Sequence, residues 1–176
     1  PGTPRLAFLL PSVVSRGHDS RNFAQRGRPS IAPPVVESGM RASRILHRLE
    51  ELDLPPEDYA LHSSASLVLR GVLEEAGDVD VVARGAAWER ALALVRSGSA
   101  TLDRGVQDQR VSLAGDVEVD DGWLGESADS VVSRAELVQG VPCAPLEDVI
   151  AMKERLGRPK DLRHLELIHA YLAAQR

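Results

Sequence analysis

Asp78 and Asp80 are the residues of this chain best placed to do chemistry. They interrupt a run, with Val79, Val81 and Val82, that otherwise reads as a buried strand. Side chains two apart on a strand point to the same side, so the two carboxylates form a close acidic pair. Such a pair repels itself unless something positive neutralises it, and a hard cation such as Mg²⁺ does so through oxygen ligands. Upstream, Ser63 and Ser64 stand where a strand-like segment passes into a short apolar helix. Serines at that position can simply cap free backbone N–H groups. The same geometry also suits a phosphate, because the free amides and the helix dipole point at it. A phosphate cradle followed by metal-binding carboxylates is the combination a nucleotide site needs; the competing reading of the aspartates is a solvated strand end.

These residues need a scaffold, and the pattern supplies one. Ile45, Leu46, Leu49 and Leu52 recur at helical spacing until Pro55-Pro56 stops the helix. Residues 59–62 read as a short strand, 64–71 as a short helix and 78–82 as a strand. An amphipathic helix over 88–96 ends at Gly98. Residues 111–113 and 117–120 form two further strands around the turn Ala114-Gly115. A helix over 146–156 is interrupted at Gly157-Arg158-Pro159, and a last helix covers 160–174. The expected class is α/β (α+β): a mixed β-sheet with helices packed on it and two C-terminal helices. No internal repeat is visible.

At 176 residues, of which 43% are hydrophobic and 27% charged, the chain can bury a single-domain core. Aromatics make up only 3%, so that core must come from Leu, Val, Ile and Ala. The net charge of −5 leaves no global footprint for nucleic acid. Residues 1–39 differ: six prolines and five arginines stand against Asp19 and Glu37, a net charge of +3 that leaves −8 for the rest. They are expected to form a disordered basic extension, with residues 40–176 as the domain; a clean helix begins directly after Met40. The run LAFLLPSVV is short, broken by Pro11 and lacks a small-residue cleavage site, so it does not read as a targeting peptide. No apolar run approaches the ~18 residues of a membrane span, and no membrane partner is expected. The lone Cys143 fits a reducing cytoplasm and, within VPCAP, a packed apolar role.

Ser63-Ser64-Ala65, the intervening LVLRG and then Asp78-Val79-Asp80 resemble the signature of the DNA polymerase β-like nucleotidyltransferase superfamily. The likeness is to its small, single-domain (minimal) bacterial members. Many of these also end in a segment like Leu146-Glu147-Asp148 followed by Gly157-Arg158-Pro159-Lys160-Asp161. It covers residues 59–172. The resemblance implies a metal-dependent transfer of a nucleoside monophosphate from an NTP, such as ATP, to a hydroxyl. Asp78 and Asp80 would hold two Mg²⁺ ions and Ser63 and Ser64 would face the phosphates. Glu118 would be the third carboxylate, with Asp120 in reserve because both point to one face. Two ions would raise the nucleophilicity of the attacking oxygen and neutralise charge at the α-phosphate. The acceptor could be an antibiotic-like small molecule, a tRNA end or a protein, and an antitoxin-type protein is a candidate partner. Two departures from the family pattern stand out: Ser63 replaces a usual Gly and His164 a usual Asp. The alternative is a catalytically weak module of the same fold that binds a nucleotide or a partner protein.

Lys153 and Lys160, the only two lysines, could reach the triphosphate together with Arg158. Equally, Lys153 could lie on a solvated helix face and Lys160 could open a helix beside Asp161. Arg70 and Arg84 are weaker candidates. His47, His62, His164 and His169 show no metal-ligand spacing. A calcium loop starting at Asp116 fails, since Asp121 stands where the turn needs Gly and Ser127 where the loop needs Glu. There is no Walker A loop, no GxSxG elbow and no dinucleotide glycine fingerprint.

Overall fold

Two strands, buried along their whole length, organise the structure: β1 (Tyr59–His62) and the Val-rich β2 (Val79–Ala83). The structure is a computed structural model that describes residues 39–176; the expected basic extension lies, but for Gly39, outside the described residues. β1 and β2 pair antiparallel, setting His62 opposite Asp80. On one side β2 runs parallel to β5 (Val117–Asp120), with Asp80 opposite Glu118. β4 (Gln109–Leu113) and β3 (Thr101–Arg104) continue that side antiparallel. Beyond β1 come β9 (Val141–Cys143), parallel to it, and β8 (Glu136–Val138) at the edge. The result is a seven-stranded mixed sheet ordered β3-β4-β5-β2-β1-β9-β8. A two-stranded ribbon, β6 (Gly122–Trp123) with β7 (Glu126–Ser127), lies outside it.

Period-two alternation sends the central residues to two cores. Val79, Val81 and Ala83 join one, with Ile45, Leu49 and Leu52 of α1 (Ala42–Leu52) and Ala87 and Ala91 of α3 (Gly85–Arg96). Val82 and Ala60 join the other, with α4 (Ala128–Ser133), α5 (Leu146–Leu156) and α6 (Pro159–Ala174). The short α2 (Ser63–Leu69) contributes to both and is buried at every residue. Asp80 shares the alternation of Val82, so it emerges on the face carrying the two C-terminal helices. Cys143 is packed in the first core, and burial pushes its thiol up to about 11. Among the described residues no helix is long and apolar enough to cross a membrane.

The mixed sheet, its helices and the C-terminal pair are those expected from the pattern. Several elements were not. β3 is largely exposed and has no apolar face to betray it. α4 has six residues, too few for a periodicity. β8 and β9 have three residues each, and Pro142 sits in β9, where proline argues against a strand. The expected strand over 78–82 is shifted by one, so Asp78 precedes the first paired residue of β2.

Candidate metal centre

Asp78, Asp80 and Glu118 converge: one carboxylate oxygen from each lies within 4.8 Å of the others. The register produces this, because the parallel pairing of β2 with β5 puts Asp80 beside Glu118. The three are close enough to share a metal ion, and they line a cleft of about 660 Å³ together with Ser63, Arg110, Trp123, Arg158 and Lys160. That size suits a small-molecule site of ~300–1,000 Å³.

Asp80 is the buried member, 6% exposed. Burial, then the charge of Asp78, lifts its carboxyl to about 7, against an opposing hydrogen-bonding pull from Ser63. Of the nearby basic groups, Arg110 pairs with Glu118 and Asp120, and Lys153 and Arg158 pair with Asp161, which leaves Asp78 and Asp80 as the uncompensated pair. Near neutral pH Asp80 therefore holds a proton or the site takes up a cation, because among the described residues no basic side chain pairs with Asp78 or Asp80.

The remaining expected residues divide. Ser63 and Ser64 are both buried, and of the two only Ser63 lines the cleft. The Ser63 N–H is not free for an anion, since it donates to His62 Nδ1 at 2.8 Å. Burial holds His62 down to about 4, so the ring is neutral and can accept that bond. Its other side stacks on Trp123, ring centres 4.5 Å apart. The backbone of Ser63 has φ +56°, in the left-handed region that favours glycine. Replacing Ser63 by Gly should raise the unfolding free energy from denaturant titration by about 0.5–1 kcal/mol, and Ser63→Val should lower it by at least about 1 kcal/mol. A loss of stability with Gly would mean that the hydroxyl contacts outweigh the backbone strain.

Lys160 lines the cleft, but Lys153 does not. Neither alternative foreseen for Lys153 holds: it is 1% exposed, faces neither solvent nor the cleft, and bridges α5 to α6. Its Nζ lies 3.6 Å from Asp161 Oδ1 and 3.0 Å from His164 Nδ1. Burial, then the Lys153 charge, holds His164 near 4, so its ring serves as a neutral acceptor. Burial disfavours a charged Asp161, but Arg158 and Lys153 outweigh it and hold the carboxyl below its ordinary range. Asp161 receives the Arg158 backbone N–H at 3.2 Å and its Nε at 2.6 Å, which caps α6 and orients Arg158 at the cleft.

Asp120, the reserve ligand, is taken by Arg110: Nε and Nη2 donate to its two oxygens at 2.8 and 3.1 Å. Arg70 and Arg84 also point elsewhere, binding Glu136 and Asp58 among others. Sequence reasoning missed Arg110 and Trp123. Arg110 was recoverable, because counting outward from the turn at Ala114-Gly115 sets it opposite Asp120. Trp123 had no signal: its two-residue strand is too short, and its place is set by stacking on His62.

Compared with known proteins, the chain matches no family model, no curated protein and no solved structure.

Proposed function

We propose that this chain is a Mg²⁺-dependent nucleotidyltransferase that moves a nucleoside monophosphate from an NTP to a hydroxyl acceptor. The observation that carries the reading is the convergence of Asp78, Asp80 and Glu118 in a cleft also lined by Arg158 and Lys160. Hard carboxylate oxygens suit Mg²⁺, and Asp80 with its carboxyl at about 7 is a ligand that a cation can readily deprotonate. The left-handed backbone at Ser63 supports the reading too, because the nucleotidyltransferase signature usually has Gly there. When bound, the cation would neutralise charge on the phosphate oxygens and lower the basicity needed of the acceptor.

The chain's own residues have definable tasks. Lys160 and Arg158 bind the triphosphate, Lys160 as a point charge and Arg158 through Nη1, since Asp161 holds its Nε and Nη2. The acceptor oxygen bonds to the α-phosphorus as the α–β bridging P–O bond breaks, and its electron pair leaves on pyrophosphate. The acceptor proton is released to water, which reaches the cleft beside Glu118, whose side chain is 31% exposed. Trp123 covers His62, and its buried indole N–H, unpartnered among the described residues, is a donor left for a ligand oxygen.

Lys160→Ala should weaken NTP binding about tenfold, the loss of one charge-assisted contact of about 1.5 kcal/mol, with Mg²⁺ affinity unchanged. Calorimetry with each ligand reads both. The function itself is tested by incubating the protein with Mg²⁺, each α-³²P-NTP and cell extract. Label should move onto a small molecule, a tRNA or a protein, and Asp80→Asn should abolish the transfer. Nucleotide bound without any transfer would mark a binding module instead.

A further inference from the structure

The flank of the carboxylate cluster already carries a cation of the protein's own. Arg110, on β4, reaches across to β5 and spends its whole donor fork there. Nε and Nη2 hold Asp120, and Nη1 holds Glu118 Oε2 at 2.5 Å. The anchor is firm because the Asp120 side chain is only 4% exposed. Releasing Arg110 would strand a buried carboxylate. The guanidinium stays charged at any physiological pH, so its place beside Glu118 is permanent.

A two-ion centre needs the third carboxylate to serve a second ion next to the first. Here one oxygen of Glu118 is occupied by Nη1, and both oxygens of Asp120 are closed by the fork. Asp103 and Asp108 are the other acids lining the cleft, on β3 and the loop after it, outside the group whose oxygens come within 4.8 Å. A second divalent ion at Glu118 would also meet a fixed like charge.

We infer that the centre takes one divalent cation, held by Asp78, Asp80 and one oxygen of Glu118, with the Arg110 guanidinium in place of a second ion. This rests on the reading of the cluster as a cation centre. Arg110 is then a positioning residue, turning Glu118 toward Asp78 and Asp80 as well as supplying charge.

Mn²⁺ binding to the full chain, followed by equilibrium titration and by the electron paramagnetic resonance of the bound ion, tests this. The wild type should bind one Mn²⁺ with the spectrum of an isolated ion. Arg110→Gln should bind two with a spin-coupled spectrum, and Arg110→Lys, which keeps the charge, should return to one. If Arg110→Gln does not fold, Arg110→Gln/Asp120→Asn removes the buried charge along with its partner, and the Glu118 oxygen that Arg110 releases should then admit a second ion, held more weakly because position 120 no longer offers a carboxylate. Two coupled ions in the wild type would overturn the inference and leave the cation centre standing. One ion in both the glutamine variant and the wild type would overturn the role of Arg110. No Mn²⁺ bound to the wild type would overturn the cation centre itself.

Discussion

Asp80→Asn should abolish divalent-cation binding and, in EDTA at pH 8, make the protein more stable than the wild type. The two effects share one cause. Asp80 is buried beside Asp78, and its carboxyl is lifted to about 7 in the folded chain. In the unfolded chain an aspartate releases its proton near 4. Between those values the folded state binds more protons, so the stability contributed by Asp80 is complete below about 4 and is lost as pH rises through about 7. Above that, a buried anion opposes the fold by an amount on the order of 2–4 kcal/mol, which neutral Asn removes. The loss in cation affinity should exceed the roughly 10–100-fold that removing a mere partner of a ligand costs. Thermal melts of both proteins at pH 5 and pH 8, with EDTA and with Mg²⁺, separate the terms. Without metal the wild type should be the less stable protein by the larger margin at pH 8 and by a smaller one at pH 5, and bound Mg²⁺ should close the gap. An Asn variant that is destabilised at pH 8 in EDTA would contradict a strained acidic site.

Asp161→Ala should cost about 3–5 kcal/mol of stability, whereas Lys153→Met should cost much less. Asp161 is fully buried between Arg158 and Lys153. Removing it leaves Lys153 charged and inside, 1% exposed, with only the neutral His164 ring to accept from it. It also uncaps α6, whose entry bond runs from the Arg158 N–H to Asp161. Lys153→Met keeps the Arg158–Asp161 pair and replaces a buried ammonium by an apolar chain of similar length. Urea denaturation at pH 7 gives both values. A second readout separates the site from the fold, because Asp161→Ala frees Arg158 and should weaken NTP binding even in molecules that remain folded. Equal losses for the two variants would mean that the ion pair, rather than the burial of one unpaired charge, sets the cost.

The sequence made the acidic pair legible because the apolar alternation around Asp80 marked a strand, and Asp78, just before its first paired residue, lies close enough for the two carboxylates to converge. Glu118 came from the family resemblance, which called for a third carboxylate on a neighbouring strand, and the parallel pairing of β5 with β2 sets it beside Asp80. α1, α5 and α6 were legible from apolar spacing and from Pro55, Gly157 and Pro159 at their ends. Lys153 was not legible, since a buried lysine and a solvated one look alike until Asp161 and His164 close on it across a helix turn. Ser64 was misplaced for a related reason: a serine that caps a solvent-facing turn and one folded inward have the same local sequence. Strand β9 owes its existence to pairing with β1, and β8 to pairing with β9, rather than to their own three residues apiece. Long-range pairing of that kind leaves almost no local trace.

The most direct test of the account is calorimetry of NTP binding to the full chain with Mg²⁺, with EDTA, and with Mg²⁺ in the Asp80→Asn variant. If Asp78, Asp80 and Glu118 form a cation centre that serves a nucleotide, at least one NTP binds with Mg²⁺ and binding collapses in the other two conditions. An NTP affinity that is the same in all three, or no binding of any NTP with Mg²⁺, would contradict it.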